Sequence, residues 1–154
     1  MTYFKDLTPY EYSAGLEISE IPVLNVGWLG AVEFDQEETS PEFKARLLQH
    51  CLDENVVLIM RGFHACPFCE MSSAEWSRNH PDYGENTNWM SIGDGEIRTR
   101  GKSVIYAAPT LIYHYVTEHY YRPPQEFIDA VLSGPQPGSN EHRTLLDWYR
   151  KEKP

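Results

Sequence analysis

Between Arg61 and Cys69 the chain reads Arg-Gly-Phe-His-Ala-Cys-Pro-Phe-Cys, which places His64, Cys66 and Cys69 at H-x-C-x2-C spacing. No other stretch concentrates reactive side chains so tightly, and each chemistry it allows demands a different fold around it. Two thiols three positions apart can grip one ion, and a neighbouring imidazole can add a third bond. The same Cys66-Pro67-Phe68-Cys69 run is a C-x-x-C pair, the spacing used for dithiol redox chemistry, where a lowered thiol pKa makes the first cysteine a nucleophile.

The redox reading requires a thioredoxin-like α/β frame, and parts of one are visible. Asn55 to Met60 is a short apolar, partly β-branched run that ends just before the motif and suits a buried strand. Ala107-Ala108-Pro109-Thr110 resembles the proline turn that faces the dithiol in thioredoxins. Under that reading Cys66 is the nucleophile, Cys69 the resolving thiol and Pro109 their neighbour. The long amphipathic helix that should follow the dithiol is missing: Glu70 to Ser77 supplies about two turns before Asn79-His80-Pro81-Asp82 and Gly84 break it. Next come short strand-like pieces at 88–92, 96–99 and 103–106, separated by turn residues, which reads as an antiparallel meander.

The metal reading needs a fourth ligand from elsewhere, and Cys51, His114 and His119 are the candidates. Ser40-Pro41 starts a helix, serine as cap and proline at the first position, and Phe43, Leu47, Leu48, Cys51 and Leu52 then share one face. Cys51 therefore reads as a buried core thiol. If the segment from Pro109 is helical, Leu111, Ile112, Tyr115, Val116 and His119 gather on its inward face and His114 falls on the flank. If it is a strand, His114 is favoured instead. The helix is preferred, so the expected ligands are His64, Cys66, Cys69 and His119, with His114 as the alternative fourth. Four protein ligands close the shell of a zinc ion and make it a structural clamp. A catalytic zinc would need an open position and a placed general base, and no glutamate has a spacing that singles it out. His50, His80 and His142 lie in polar or loop-like settings and receive no role.

The 154 residues, 41% of them hydrophobic, can bury one ordinary core, so a single domain over 1–154 is expected. Residues 1–30 form an aromatic-rich N-terminal segment. Pro123-Pro124 precedes a helix over 125–132, and a short Pro/Gly linker at 135–140 leads to a final helix capped by Ser139-Asn140. No apolar run approaches the ~20 residues that cross a bilayer, and the start lacks a signal-peptide pattern, which points to the cytoplasm. With 23 acidic against 13 basic residues the formal charge is −10, which disfavours nucleic acid and anionic membrane and suits a basic protein partner. The expectation is an α+β domain, a small antiparallel meander against about four helices with a zinc-clamped loop. Its function would be that of an acidic protein-binding module of immunity or antitoxin type rather than an enzyme. Thiol-disulfide oxidoreductase activity is the alternative, and the oligomeric state stays open.

Across most of the chain a family pattern is visible: Tyr3-Phe4 with Asp6 to Tyr10, Asn25-Val26-Gly27-Trp28-Leu29, Gly62-Phe63-His64 with Cys66 to Cys69, and Gly95 to Arg98. It continues through Tyr106 to Pro109, His114-Tyr115-Val116 before His119, and Tyr121 with Pro123-Pro124. In these motifs the chain resembles a bacterial family of small proteins of unknown function. The resemblance implies bacterial origin and a single domain and carries no activity or cofactor with it.

Overall fold

The computed structural model describes residues 3–10, 21–30, 33–58, 66–68 and 95–151. Three short strands form one mixed sheet: β1 (Val23–Asn25), β2 (Glu96–Arg100) and β3 (Ile105–Pro109), in the order β1-β3-β2. β2 and β3 are antiparallel with Arg98 opposite Ala107, whereas β1 runs parallel to β3 with Leu24 opposite Tyr106. The expected α+β architecture holds, but the sheet is mixed and not a pure meander. Its third strand comes from the N-terminal segment, since a parallel neighbour needs no adjacency in sequence. Residues 88–92, expected as a strand, and the expected helix at 70–77 lie outside the described residues. The expected strand at 55–60 begins instead with a 3-10 turn at Asp53–Asn55, and Val57 makes a single antiparallel bridge to Glu96.

Four α-helices surround the sheet among the described residues: α1 (Pro41–His50), α2 (Ile112–Glu118), α3 (Gln125–Ser133) and α4 (Asn140–Lys151). The Ser40 hydroxyl accepts from the Phe43 amide at 3.1 Å, satisfying a first-turn donor at the start of α1. Gly134 ends α3 at a point where a Cβ would lie 2.5 Å from the carbonyl oxygens of Ala130 and Arg100, so only glycine fits. At the start of α4 the Ser139 hydroxyl accepts from the His142 amide.

Alternation along β3 divides the interior in two. Tyr106 and Ala108 join the larger core beneath α1, α2 and α3, with Phe43, Leu47, Ile112 and Phe127. Ile105 and Ala107 join a second core with Tyr10, Val23, Trp28 and the α4 residues Leu145, Leu146 and Tyr149. On that second side Arg98 is fully buried, its guanidinium 4.7 Å from the Tyr10 ring centroid and 4.6 Å from that of Tyr149. Glu96, two positions along the same strand face, accepts from Arg98 Nη1 at 2.9 Å and from the Tyr10 hydroxyl at 2.8 Å.

The N-terminal segment is tied to the α2 region by Asp6, which accepts from the Tyr121 hydroxyl at 2.6 Å and from the Gly27 amide at 2.9 Å. Gly27 has φ +79°, and a Cβ there would stand 2.8 Å from Ile112 Cδ1 at the head of α2. No helix among the described residues is long and apolar enough to cross a membrane.

Candidate metal centre

Cys66, His114 and His119 converge. Their ligand atoms all lie within 4.8 Å of one another, a Cys/His/His group that could hold a metal ion. The Cys66 Sγ to His119 Nε2 distance is 3.3 Å, and the two imidazole centroids are 5.0 Å apart. A tetrahedral ion with Zn–S near 2.3 Å and Zn–N near 2.0 Å separates sulfur from nitrogen by roughly 3.5 Å, so the spacing suits one shared ion.

Each ligand is positioned by a different device. Cys66 opens a turn over Pro67 and Phe68, and the Phe68 amide donates to Cys66 Sγ at 3.3 Å. That bond stabilises negative charge on sulfur and bends the chain after Pro67. The Phe68 ring then anchors the turn, packing against Phe34 at 5.1 Å, His119 at 5.5 Å and Tyr115 at 5.8 Å between centroids. His114 sits within α2 and is buried.

His119 is the residue that ends α2. Two residues five positions apart on a continuous helix point about 140° away from each other, which is why the wheel offers His119 or His114 but not both. The helix stops first. His119 has φ −118° and ψ 6°, Tyr120 turns left-handed at φ 57°, and the Tyr121 amide folds back to the Tyr115 carbonyl at 3.0 Å. Released from helical geometry, the His119 ring swings beside His114. Its backbone is held from outside: Gln36 Nε2 donates to the His119 carbonyl at 3.0 Å, and the Glu37 amide donates to that of Tyr120 at 2.9 Å. Burial lowers the His119 pKa, against an opposing pull from Glu118, and so favours the neutral imidazole whose lone pair a metal needs.

His64 and Cys69 lie outside the described residues. Cys51 is fully buried in the larger core, where burial pushes its thiol pKa up and its sulfur lies 3.9 Å from the Thr110 carbonyl. Pro109 closes β3 in register with Glu96. His50 and His142 need correction: both are buried helix residues and not part of an exposed surface or a loop. Both are 1% exposed, one on α1 and one on α4, with ring centroids 4.9 Å apart. Helical spacing carried the signal, because His50 follows Phe43 by seven and Leu47 by three, and His142 precedes Leu145, Leu146 and Tyr149 by three, four and seven.

No curated protein and no solved structure matches the chain. A family match covers residues 2–132, and with it the turn at Cys66, both His114 and His119, and the three strands among the described residues. The chain thus belongs to the family described as Domain of unknown function (DUF7919).

Proposed function

We propose that this protein is a zinc-binding domain in which Cys66, His114 and His119 hold the ion and Cys69 closes the shell, leaving a structural clamp. The convergence of one thiol and two imidazoles within 4.8 Å carries this reading. The C-x-x-C spacing supports Cys69 as fourth ligand, since a turn that directs the first sulfur with the amide two residues on brings the fourth residue to the same side. Thiolate and imidazole donors together favour zinc over hard cations. His64, two positions before Cys66 in sequence, is the alternative fourth ligand.

The clamp fastens the Cys66 turn to α2, and so to the central strand from which α2 springs. Beside it, Glu33, Asp35, Glu37 and Glu38 are exposed, and only Glu37 and Glu38 have ion-pair partners among the described residues, Arg122 and Lys44. This acidic strip supports a role as a module that docks a basic protein, in the manner of an immunity protein or antitoxin.

Elemental analysis of freshly purified protein, combined with thiol titration before and after chelation, tests the proposal. One zinc per chain, with two thiols becoming reactive only on chelation, is the expected result. Metal-free protein with a reversible Cys66–Cys69 disulfide would overturn it in favour of thiol redox chemistry. Retention of metal by Cys69→Ser together with its loss from His64→Ala would exchange the fourth ligand.

A further inference from the structure

We infer that the cavity between the C-terminal end of α1 and one side of α4 binds a small oxyanion, a phosphate or carboxylate group, through Arg143 and Arg150. The cavity holds about 250 Å³ and is bounded by Gln49, Glu54, Asn55, His142, Arg143 and Arg150 together with Pro137, Gly138 and Leu146. Two guanidiniums face one carboxylate there, a local excess of positive charge on a chain whose formal charge is −10. Neither arginine joins an ion pair among the described residues, where every recorded pair uses other basic groups.

Backbone carbonyls fix each guanidinium while using only part of its five donors. Arg143 Nη2 donates to the Gly138 carbonyl at 2.9 Å, and Arg150 Nη2 donates to the carbonyls of Glu54 at 2.6 Å and Val56 at 3.4 Å. The remaining N–H groups have the forked geometry that matches phosphate or carboxylate oxygens.

Beneath the arginines stands a second, independent sign that the site is incomplete. His142 bounds the cavity with both ring nitrogens lacking hydrogen-bond partners among the described residues, and those of His50 against it lack them too. Buried polar atoms without partners are rare and costly, and four in one place mark a spot where polar matter belongs. The groups around the pair are His50 from α1, Glu54 from the 3-10 turn, and Arg143 and Arg150 from α4. An anion held by the arginines would offset the positive charge that Arg150 presents to His142 and allow that ring to take up a proton. This site is separate from the Cys66 cluster and independent of any metal there.

The test is an NMR titration of the full chain at constant ionic strength, with inorganic phosphate in one arm and succinate in the other, each to millimolar concentration. Saturable shifts of the Arg143 and Arg150 Nε–H signals and of the His142 ring are expected in at least one arm, and the responding arm tells phosphate from carboxylate. Arg143→Gln and Arg150→Gln, made separately and checked for an unchanged fold by circular dichroism, should each weaken binding about tenfold, as loss of a charge-assisted hydrogen bond does. Arg46→Gln, on an ion pair elsewhere on α1, should bind as the native chain does. Silence in both arms, or binding as tight as the native chain's by either the Arg143 or the Arg150 variant, would overturn the inference.

Discussion

Replacing Glu96 by glutamine isolates one interaction that the second core depends on. Arg98 is wholly buried and Glu96 is 2% exposed, so the ion pair between them, 2.9 Å from Nη1 to Oε1, has little solvent screening. At an effective dielectric of about 20, unit charges about 4 Å apart attract by about 4 kcal/mol, and removing one partner of a buried pair costs about 3–5 kcal/mol because the other charge stays behind. Glutamine keeps an oxygen for Arg98 and the Tyr10 hydroxyl, which places Glu96→Gln near the lower end, about 3 kcal/mol. For a domain of this size that lowers Tm by about 6–12 °C and consumes a large share of a total stability of about 5–15 kcal/mol. Guanidinium denaturation of Glu96→Gln, Arg98→Met and the double variant gives the cycle. The double variant should recover most of the loss, since no charge is then left buried. A Glu96→Gln stability within about 1 kcal/mol of the native protein would refute the argument.

Cys66→Ser, His114→Ala and His119→Ala should each release metal and lower Tm, as read by elemental analysis and calorimetry, whereas His142→Ala should lower Tm with metal retained. Stability should fall on acidification, because burial holds His50 at about 3 and His142 at about 4, below the ordinary 6.5. The unfolded chain therefore takes up protons first, and the loss begins as pH drops through about 6.5 and continues toward about 4 for His142 and about 3 for His50. His50→Leu should flatten that acid limb in pH-dependent melting, and an unaltered limb would sink the assignment. Gly27→Ala should destabilise by about 1–3 kcal/mol, from its left-handed backbone and the clash with Ile112, measured by urea denaturation.

Where chemistry is local the chain can be read directly. Ser40-Pro41, Pro124 and Ser139 mark helix starts because caps act over one turn, and the structure places α1, α3 and α4 there. The hairpin of β2 and β3 was also legible from the turn residues between two strand-like pieces, although the second, expected at 103–106, runs from Ile105 through Pro109. β1 was not, since Val23-Leu24-Asn25 is three residues long and its partner lies some eighty positions away. At the metal centre, Cys66 and the two histidines could be named from spacing, but their joint geometry depends on α2 ending one residue before His119. A helical wheel assumes that the helix continues. The buried histidine pair was misjudged for a different reason: polarity of the residue outweighed a face position that the heptad spacing already gave.

Tyr149 stacks on Arg98 from α4, outside the stretch that the family match covers. The strand carrying the charge belongs to the shared portion, while one of the two rings enclosing it belongs to the segment beyond. The unit that encloses this charge is therefore longer than the stretch that the family match covers. A chain cut after residue 132 would keep the turn at Cys66 and both histidines, yet it would expose an arginine to water and strip one face of its sheet.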